Sequence, residues 1–381
     1  MKIILATPLY PPEIGGPATY VKELCEQISG KHKIIIVAYA DDAIAQSGAE
    51  LIAVSKKQPL IVRLFKYFFA LWKASRGADL IYVQSAVASG LPTAIAAMFR
   101  KIPFVVKFVG DEAWERAVQF RQTKKQLEEF LQKPEGGLKV KIIMAVEKFV
   151  LNRASIVTTP SFYLKETIIR AYGLKPERVI INYNAADEKE KNETTEKRSL
   201  FQVLTTARLV PHKGIDGIIR AVAILKSRLP EIKFFVAGDG PEEENLKKLT
   251  KELGVENNVV FVGRVTRLET WKLRKQSSVY VLNSTYEGLP HTVLTSFAAG
   301  IPVVATNIFG TNEAVYHEQT GLLVSLGDDK ALAEAISRLL TDDKLTKRLI
   351  AGGKKILREK FSWEAHISSL MNIFKSAISR P

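Results

Sequence analysis

Cysteine is almost missing: Cys25 stands alone in 381 residues, so no internal disulfide can form. It falls on a predicted helix with no partner base in view and reads as a small core residue, which makes a reducing compartment the expectation. Histidine is scarce too. The five are scattered, no two at metal-ligand spacing, so a metal centre is not expected. Acids are outnumbered: 40 Asp and Glu face 55 Lys and Arg, a net charge of +15. Such an excess suits nucleic acid, an anionic membrane surface or anionic small molecules. No aromatic-rich RNA motif and no zinc-finger pattern is present, which sets nucleic acid aside. Long apolar runs are few. Leu80 to Phe99 is uncharged for 20 residues, enough to span a bilayer. It contains Gln84, Gly90 and Pro92, and reads instead as a buried strand, a turn and a short helix. The chain opens on a strand, Lys2 to Leu9, so a secretory leader is not expected.

What is present is a globular composition, 46% apolar and 25% charged, at a length that suits two domains. Short apolar runs alternate with helix-period segments, the pattern of parallel sheets covered by helices. Strands are predicted near Ile3–Leu9, Lys33–Ala40, Leu51–Val54, Leu80–Gln84, Phe104–Val109, Ile156–Thr159 and Val179–Asn182, with a helical insertion through Glu112–Arg153 broken around Pro134. The pattern then restarts, with strands near Phe201–Thr206, Lys233–Ala237, Val259–Val262, Val279–Asn283, Pro302–Thr306 and Gly321–Val324. A boundary is expected at about Asp187–Ser199, beside a polar run from Glu188 to Arg198. Three helices close the chain, the last from Trp363. Ligands of open parallel sheets bind beyond the carboxyl ends of the strands, so function is sought in the loops that follow them.

Four such loops carry chemistry. In the first, Gly15 and Gly16 precede a helix start, where backbone amides meet a phosphate or sugar without a Cβ between them. This is not the GxGxxG dinucleotide fingerprint, and a plain strand-to-helix turn with Pro17 at the first helical position accounts for it equally. The second holds Arg208 and Lys213 after the first strand of the second half; a planar fork and a point charge together suit a diphosphate, and a solvated basic loop is the plainer alternative. In the third, Glu287 precedes a helix beginning near Pro290. Its carboxylate suits sugar hydroxyls and the helix-start amides suit phosphate oxygens, unless the carboxylate is only a cap. The fourth, Phe309-Gly-Thr-Asn-Glu313, is another glycine loop entering a helix, and Gly238-Asp-Gly-Pro241 repeats the theme.

Taken in order, these segments resemble a known family. Pro11-Pro-x-x-Gly-Gly16, Val109-Gly-Asp111, Asn184-Ala-Ala-Asp187, Arg208-x4-Lys213-Gly, Ala237-Gly-Asp-Gly-Pro241, Glu287-Gly-Leu-Pro290, Ala299-Gly-Ile-Pro-Val-Val304, Gly310-Thr-Asn-Glu313, Gly321-Leu-Leu323 and Phe361-Ser-Trp-Glu364 run over nearly the whole length. The chain resembles a retaining glycosyltransferase of family 4. The resemblance implies the α/β GT-B fold: two Rossmann-like domains with parallel sheets facing a central cleft, and a C-terminal helix crossing back to the first. The domains expected are 1–187 with 363–381, on the acceptor side, and 188–362, which binds the donor nucleotide.

The resemblance also assigns roles. Arg208 and Lys213 would grip the diphosphate of a UDP- or GDP-sugar, and Glu287, first of the family's paired glutamates, would contact the donor sugar. The loop around Gly288, Leu289, His291 and Thr292, that around Gly310, Thr311 and Asn312, and Gly238 would hold phosphate and sugar, with Gly15 and Gly16 approaching from the first domain. Two positions depart from the pattern. Thr295 stands eight residues after Glu287, where the family's second glutamate takes the ribose hydroxyls; a hydroxyl bonds them more weakly than a carboxylate. Asn184-Ala185 replaces the common Asn-Gly. Asp111 falls at the end of a first-domain strand and is expected to bond a sugar hydroxyl or stabilise charge at the anomeric carbon, with a cap on the helix from Glu112 as the alternative. Catalysis then rests on Arg208, Lys213, Glu287 and Asp111, without metal or other cofactor. The bond to the diphosphate breaks first, and a donor phosphate oxygen takes the acceptor's proton.

Leu51 to Ala78 carries six cations and no acid. From Ile61 to Trp72 the apolar residues are expected on one helical face and Arg63, Lys66 and Lys73 on another, which suits either an anionic membrane or a Rossmann cover helix with a solvated face. With the cations of the insertion, this leads us to expect a cytoplasmic enzyme at the inner face of the membrane, acting on a lipid-linked or cell-surface glycan. The competing readings are a sugar-nucleotide epimerase or phosphorylase of the same fold, and a non-catalytic or degenerate sugar-nucleotide binder prompted by Thr295.

Overall fold

A computed structural model describes residues 1–13, 15–46, 48–186 and 198–379. The polar run expected from residue 188, and Asp187 before it, lie outside them apart from Arg198. Contacts divide the chain into two compact units, Met1–Asn182 with Ile367–Pro381, and Tyr183–His366.

The strands of the first unit are β1 (Lys2–Thr7), β2 (Lys33–Tyr39), β3 (Ala49–Val54), β4 (Leu80–Val83), β5 (Phe104–Lys107), β6 (Ile156–Thr159) and β7 (Val179–Ile181). They form one parallel sheet in the order β3-β2-β1-β4-β5-β6-β7. Its helices are α1 (Gly16–Ile28), α2 (Leu60–Ala74), α3 (Gly90–Arg100), α4 (Glu112–Gln119), α5 (Leu127–Gln132), α6 (Leu138–Arg153) and α7 (Phe162–Tyr172). Runs such as Leu80-Ile-Tyr-Val83 are buried throughout, because helices cover a parallel sheet on both faces. The uncharged stretch from Leu80 is thus β4, a turn and α3, and the predicted insertion is the three helices α4 to α6.

The second unit repeats the plan with β8 (Gln202–Thr206), β9 (Lys233–Ala237), β10 (Val259–Gly263), β11 (Val279–Leu282), β12 (Val303–Thr306) and β13 (Leu322–Val324), parallel in the order β10-β9-β8-β11-β12-β13. Its helices are α8 (Ile215–Lys226), α9 (Glu243–Glu252), α10 (Arg267–Gln276), α11 (His291–Ala299), α12 (Asp329–Thr341) and α13 (Asp343–Lys360); α14 (Trp363–Ser379) ends the chain. One apolar cluster gathers Ile218, Val222, Phe234 and Ile336 on one side of this sheet, and a second gathers Tyr280, Val293, Phe297 and Phe361. In each unit the order reverses beside the first strand, which puts a switch point between β1 and β4 and another between β8 and β11.

The units divide a few residues from the expected boundaries, and the bonding explains why. The Tyr183 carbonyl meets His366 Nδ1 at 2.6 Å, the Ala186 amide donates to the Phe361 carbonyl at 3.1 Å, and the Tyr183 and Phe361 rings pack edge to face. The segment from Tyr183 therefore belongs with the second unit. Residues 367–379 of α14 belong with the first, where the Phe374 ring packs against Tyr82 at 5.1 Å between centroids.

α2 corrects an expectation. Its apolar residues do not share one face: Tyr67, Leu71 and Ala74 face the interior, while Ile61, Phe65, Phe69 and Trp72 form an outward stripe beside Lys66 and Lys73. Phe65 is 60% exposed, and Phe99 of α3, 72% exposed, extends the stripe through its ring contact with Phe68. The sheet needs only the narrow side of this helix, and the rest of its apolar surface is left over.

Candidate functional site

The switch point of the second sheet brings the predicted loops of the second unit together. After β8 the chain passes Arg208 and turns through a short 3-10 helix, Pro211–Lys213, into α8. After β11 it passes Asn283 and Ser284 to Glu287. The loops are tied: the Thr285 amide donates to the His212 carbonyl at 2.8 Å and Asn283 Nδ2 to the Gly214 carbonyl at 2.8 Å. Gly214 has φ 58°, and a Cβ there would lie 2.1 Å from the Asn283 carbonyl, so only glycine permits this approach.

That tie sets Lys213 Nζ 2.7 Å from Glu287 Oε1, which also accepts from Ser284 Oγ at 2.7 Å. Both partners are largely sheltered, with side chains 21% and 12% exposed. Arg208 is exposed and makes no ion pair among the described residues. His212 lies beside these groups; burial, then the charge of Lys213, hold its pKa at about 4, with Glu287 pulling the other way and Arg208 adding the least. It is therefore neutral at physiological pH.

Two further loops close around this pair. Gly310 has φ 81° and its Cβ would fall 2.1 Å from the Glu287 carbonyl, so the loop after β12 is packed on the one after β11. Thr306 Oγ1 donates to the Ser284 carbonyl at 2.6 Å. Beside it the Thr311 hydroxyl is buried without a hydrogen-bond partner, and Asn312 is half-buried. A Cβ on Gly238 would meet the Ala207 carbonyl at 1.9 Å, which ties the loop after β9 to the one carrying Arg208.

α11 begins after Pro290, which offers it no side-chain cap, so its positive end is open beside Gly288 and Thr292. The Leu289 side chain is packed in the core, and only its backbone is available to a ligand. His291 Nε2 donates to the Ala185 carbonyl at 3.0 Å. Thr295, the departure from the paired glutamates, turns its hydroxyl proton back onto the His291 and Thr292 carbonyls, 3.2 and 3.0 Å away. It is left as an acceptor.

In the first unit Gly15 and Gly16 start α1, and Gly16 has open space where a Cβ would be. Asp111 is a correction. Its side chain is fully buried, caps α4 through the Trp114 amide at 2.7 Å, and accepts a short bond from the Tyr172 hydroxyl. Tyr172 also reaches Glu147 Oε2 at 3.2 Å, while Glu147 Oε1 accepts the Glu112 amide at 2.8 Å. Burial raises the pKa of Asp111, and burial with the Asp111 charge raises that of Glu147 further. The capping alternative therefore holds: Asp111 belongs to an internal network and is not presented to a ligand. Glu112, its neighbour, is the one that lines a cavity.

Two further groups escaped the sequence reading. Ser284 is a small polar residue in a loop, without a signal of its own. Lys107 did carry one, as a charge closing the apolar strand Phe104-Val-Val-Lys107: it is only 7% exposed and lines a cavity of ≈ 960 Å³ in the first unit. Among the described residues no group of three or more His, Cys, Asp or Glu is placed to hold a metal ion, and no helix is long and apolar enough to cross a membrane.

Comparison with known proteins bears on both units. The family model described as Glycosyltransferase Family 4 matches residues 14–190, and that described as Glycosyl transferases group 1 matches residues 186–356. The lipopolysaccharide core biosynthesis glycosyltransferase LpsD of Rhizobium meliloti is 35% identical over 180 residues, 47% of this chain and 51% of that one. A GDP-mannose-dependent alpha-(1-6)-phosphatidylinositol monomannoside mannosyltransferase of Mycobacterium tuberculosis is 27% identical over 253 residues, 61% of this chain and 66% of its own. The matches to the first of these curated relatives span about half to two thirds of their length. Among solved structures, Anabaena HepE in complex with UDP and glucose superposes with TM-score 0.80 at 21% identity, covering 99% of this chain and 100% of that one; the likeness is one of fold.

Proposed function

The chain belongs to the glycosyl transferases group 1 family, and on that premise we propose that it is a retaining hexosyltransferase. It moves a sugar from a UDP- or GDP-sugar to a hydroxyl of a lipid-linked or cell-surface glycan. The observation that carries this reading is the meeting of Lys213 and Glu287 at the switch point of the second sheet, with Arg208 exposed beside them. Arg208 and Lys213 supply two cations for the diphosphate. The open start of α11 and the loop through Gly310, Thr311 and Asn312 supply amides for its oxygens. Glu287 turns to hydroxyls of the donor sugar once a phosphate takes its place beside Lys213.

In this mechanism the bond from the anomeric carbon to the phosphate oxygen breaks, and its electron pair stays on the departing diphosphate. Fixed cations and amides stabilise the charge developing there, in a site whose dipoles are already oriented. The acceptor hydroxyl attacks the oxocarbenium-like carbon from the same face, and its proton goes to a phosphate oxygen of the leaving group. No metal ion and no protein general base is required in this scheme.

The names of two relatives support this choice of acceptor class. LpsD is named for lipopolysaccharide core biosynthesis and the mycobacterial enzyme for a phosphatidylinositol mannoside, both lipid-borne glycans. The outward stripe of Ile61, Phe65, Phe69 and Trp72, with Lys66 and Lys73 beside it, suits the surface of an anionic membrane, so the enzyme works at the inner face of the membrane.

Thermal shift with UDP, GDP, ADP and their sugar derivatives tests this, in wild type and in the double variant Arg208→Ala, Lys213→Ala. One nucleotide series should stabilise the wild type alone, by about 2.7 kcal/mol at a hundred times its Kd. No stabilisation at millimolar ligand overturns the reading. Binding without any sugar transfer would favour a degenerate sugar-nucleotide binder, which the inward-turned Thr295 hydroxyl would then explain.

A further inference from the structure

Lys107 ends β5 at the carboxyl edge of the first sheet, where parallel sheets take their ligands. Its ammonium has no hydrogen bond and no carboxylate partner among the described residues; it lies 3.2 Å from the centroid of the Tyr20 ring, whose hydroxyl is engaged by that of Tyr82 at 3.1 Å. A buried, unpaired ammonium is costly, and burial alone brings its pKa down to about 7. Such a group is balanced between its charged and neutral forms, and an arriving anion would restore its charge.

The cavity above it is built for more than a charge. Its lining includes five basic residues and two acids. Several of these are already engaged: Glu112 Oε1 accepts from Ser85 Oγ at 2.6 Å and from the Val87 amide at 3.2 Å, and Lys56 pairs with Glu13 at 2.5 Å. Arg63 and Tyr39, which also line it, each hold a buried polar atom without a hydrogen-bond partner, Nε and the hydroxyl. Apart from Gln84 and Ser85 the rest of the wall is apolar, and two of its residues, Leu60 of α2 and Ile142 of α6, are themselves exposed. One lining therefore holds both a buried cation and the exposed apolar side chains of Leu60 and Ile142. At ≈ 960 Å³ it is at the upper end of the range for small-molecule sites.

We propose that this cavity binds a phosphate carried on an apolar tail, with the ammonium of Lys107 meeting the phosphate at the floor and the tail leaving past Leu60 and Ile142. The inference deepens the function proposed above and rests on it in one respect: there the ligand is the acceptor, a sugar on a lipid phosphate. A free inorganic phosphate shares the anionic chemistry but not the tail.

The test is calorimetric titration at pH 7 with three probes: dibutyl phosphate, its neutral methyl ester, and inorganic phosphate. Wild type should bind dibutyl phosphate at least tenfold more tightly than either of the others. Lys107→Met, which keeps the length of the side chain and removes the charge, should lose the preference over the neutral ester. Equal affinity for the charged and neutral esters in wild type overturns the proposal, and that arm needs no variant to fold. Equal affinity for inorganic phosphate overturns it by removing the tail, and an undiminished preference in Lys107→Met overturns the assignment of the lysine. The thermal response to UDP and GDP is followed in the same samples. If it persists in Lys107→Met while dibutyl phosphate binding falls, the loss is local to the first unit. If no nucleotide stabilises the wild type and dibutyl phosphate still binds through Lys107, the donor reading fails and the phosphate site stands.

Discussion

Lys213 and Glu287 are 74 residues apart in the sequence, yet Nζ lies 2.7 Å from Oε1 because β8 and β11 are neighbours in the sheet. The carboxylate holds the Lys213 ammonium in place, and Arg208, a few residues away, has no such restraint. The two basic residues should therefore respond differently to mutation. Arg208→Ala is expected to leave the melting temperature almost unchanged and to lower turnover by about a hundredfold or more, as the loss of one charge-stabilising donor does elsewhere. Lys213→Ala should lower turnover similarly and also cost about 1–3 kcal/mol, because Glu287 keeps only the Ser284 hydroxyl. Steady-state kinetics and denaturant titration on the two variants separate these effects; near-normal turnover in Arg208→Ala would remove it from the site.

Glycines give a second contrast. Gly310→Ala sets a Cβ against the Glu287 carbonyl in a left-handed conformation and should destabilise by about 2 kcal/mol or more while displacing Glu287. Gly16→Ala meets nothing within 4 Å and should fold as well as wild type. A normal melting temperature with reduced activity in Gly16→Ala would identify a need for close approach by substrate at that position. Unchanged activity would leave Gly16 as an ordinary helix start.

The carboxylates of the first unit predict a pH effect. Glu147 and Asp111 share the Tyr172 hydroxyl inside the protein, and both titrate above their ordinary range, chiefly through burial. A folded-state pKa above the unfolded one contributes stability at low pH and loses it as pH rises through the folded value. The stability of the wild type should therefore contain a component that declines from about pH 4.5 upward. In Glu147→Gln the new amide donates to the Tyr172 oxygen, and the Tyr172 hydroxyl still donates to Asp111, as when Glu147 is protonated. That component should shrink, and the variant should match or exceed wild type at pH 8. Chemical denaturation between pH 5 and 8 measures the slope; a slope as steep in Glu147→Gln as in wild type would contradict this.

Membrane contact has its own signature. Phe65→Ser with Phe69→Ser should leave folding intact, since both rings are exposed, and reduce co-sedimentation with anionic vesicles at least tenfold. Lys66→Gln and Lys73→Gln should each cost about 1 kcal/mol of binding, and added salt should erase that difference. If wild type fails to bind anionic vesicles at low salt, the stripe has another purpose.

Much of this was legible in the sequence, and the reasons differ by region. Each of the thirteen strands among the described residues showed as a short apolar run, because burial on both faces leaves little room for polar residues. Arg208, Lys213, Glu287 and Gly310 were recognisable from their loops, but their convergence depends on strand order, which the chain does not follow. Asp111 misled because a carboxylate after a glycine looks the same in sequence whether it meets a ligand or caps a helix. The deciding partner, Tyr172, lies 61 residues away. α2 misled in another way: helical periodicity marks which residues share a face and leaves open which face the sheet will cover.

The last helix has a consequence for the order of synthesis. Leu370, Phe374 and Ala377 of α14 are fully buried and belong to the first unit, with Phe374 against Tyr82 of its central sheet. The ribosome makes them only after all 184 residues of the second unit, from Tyr183 to His366, have emerged. The unit that begins the chain is thus the last to be completed. Until then its sheet waits with an uncovered apolar patch, and a nascent chain stalled near residue 360 would carry the loops of the second unit complete while the first unit is unfinished.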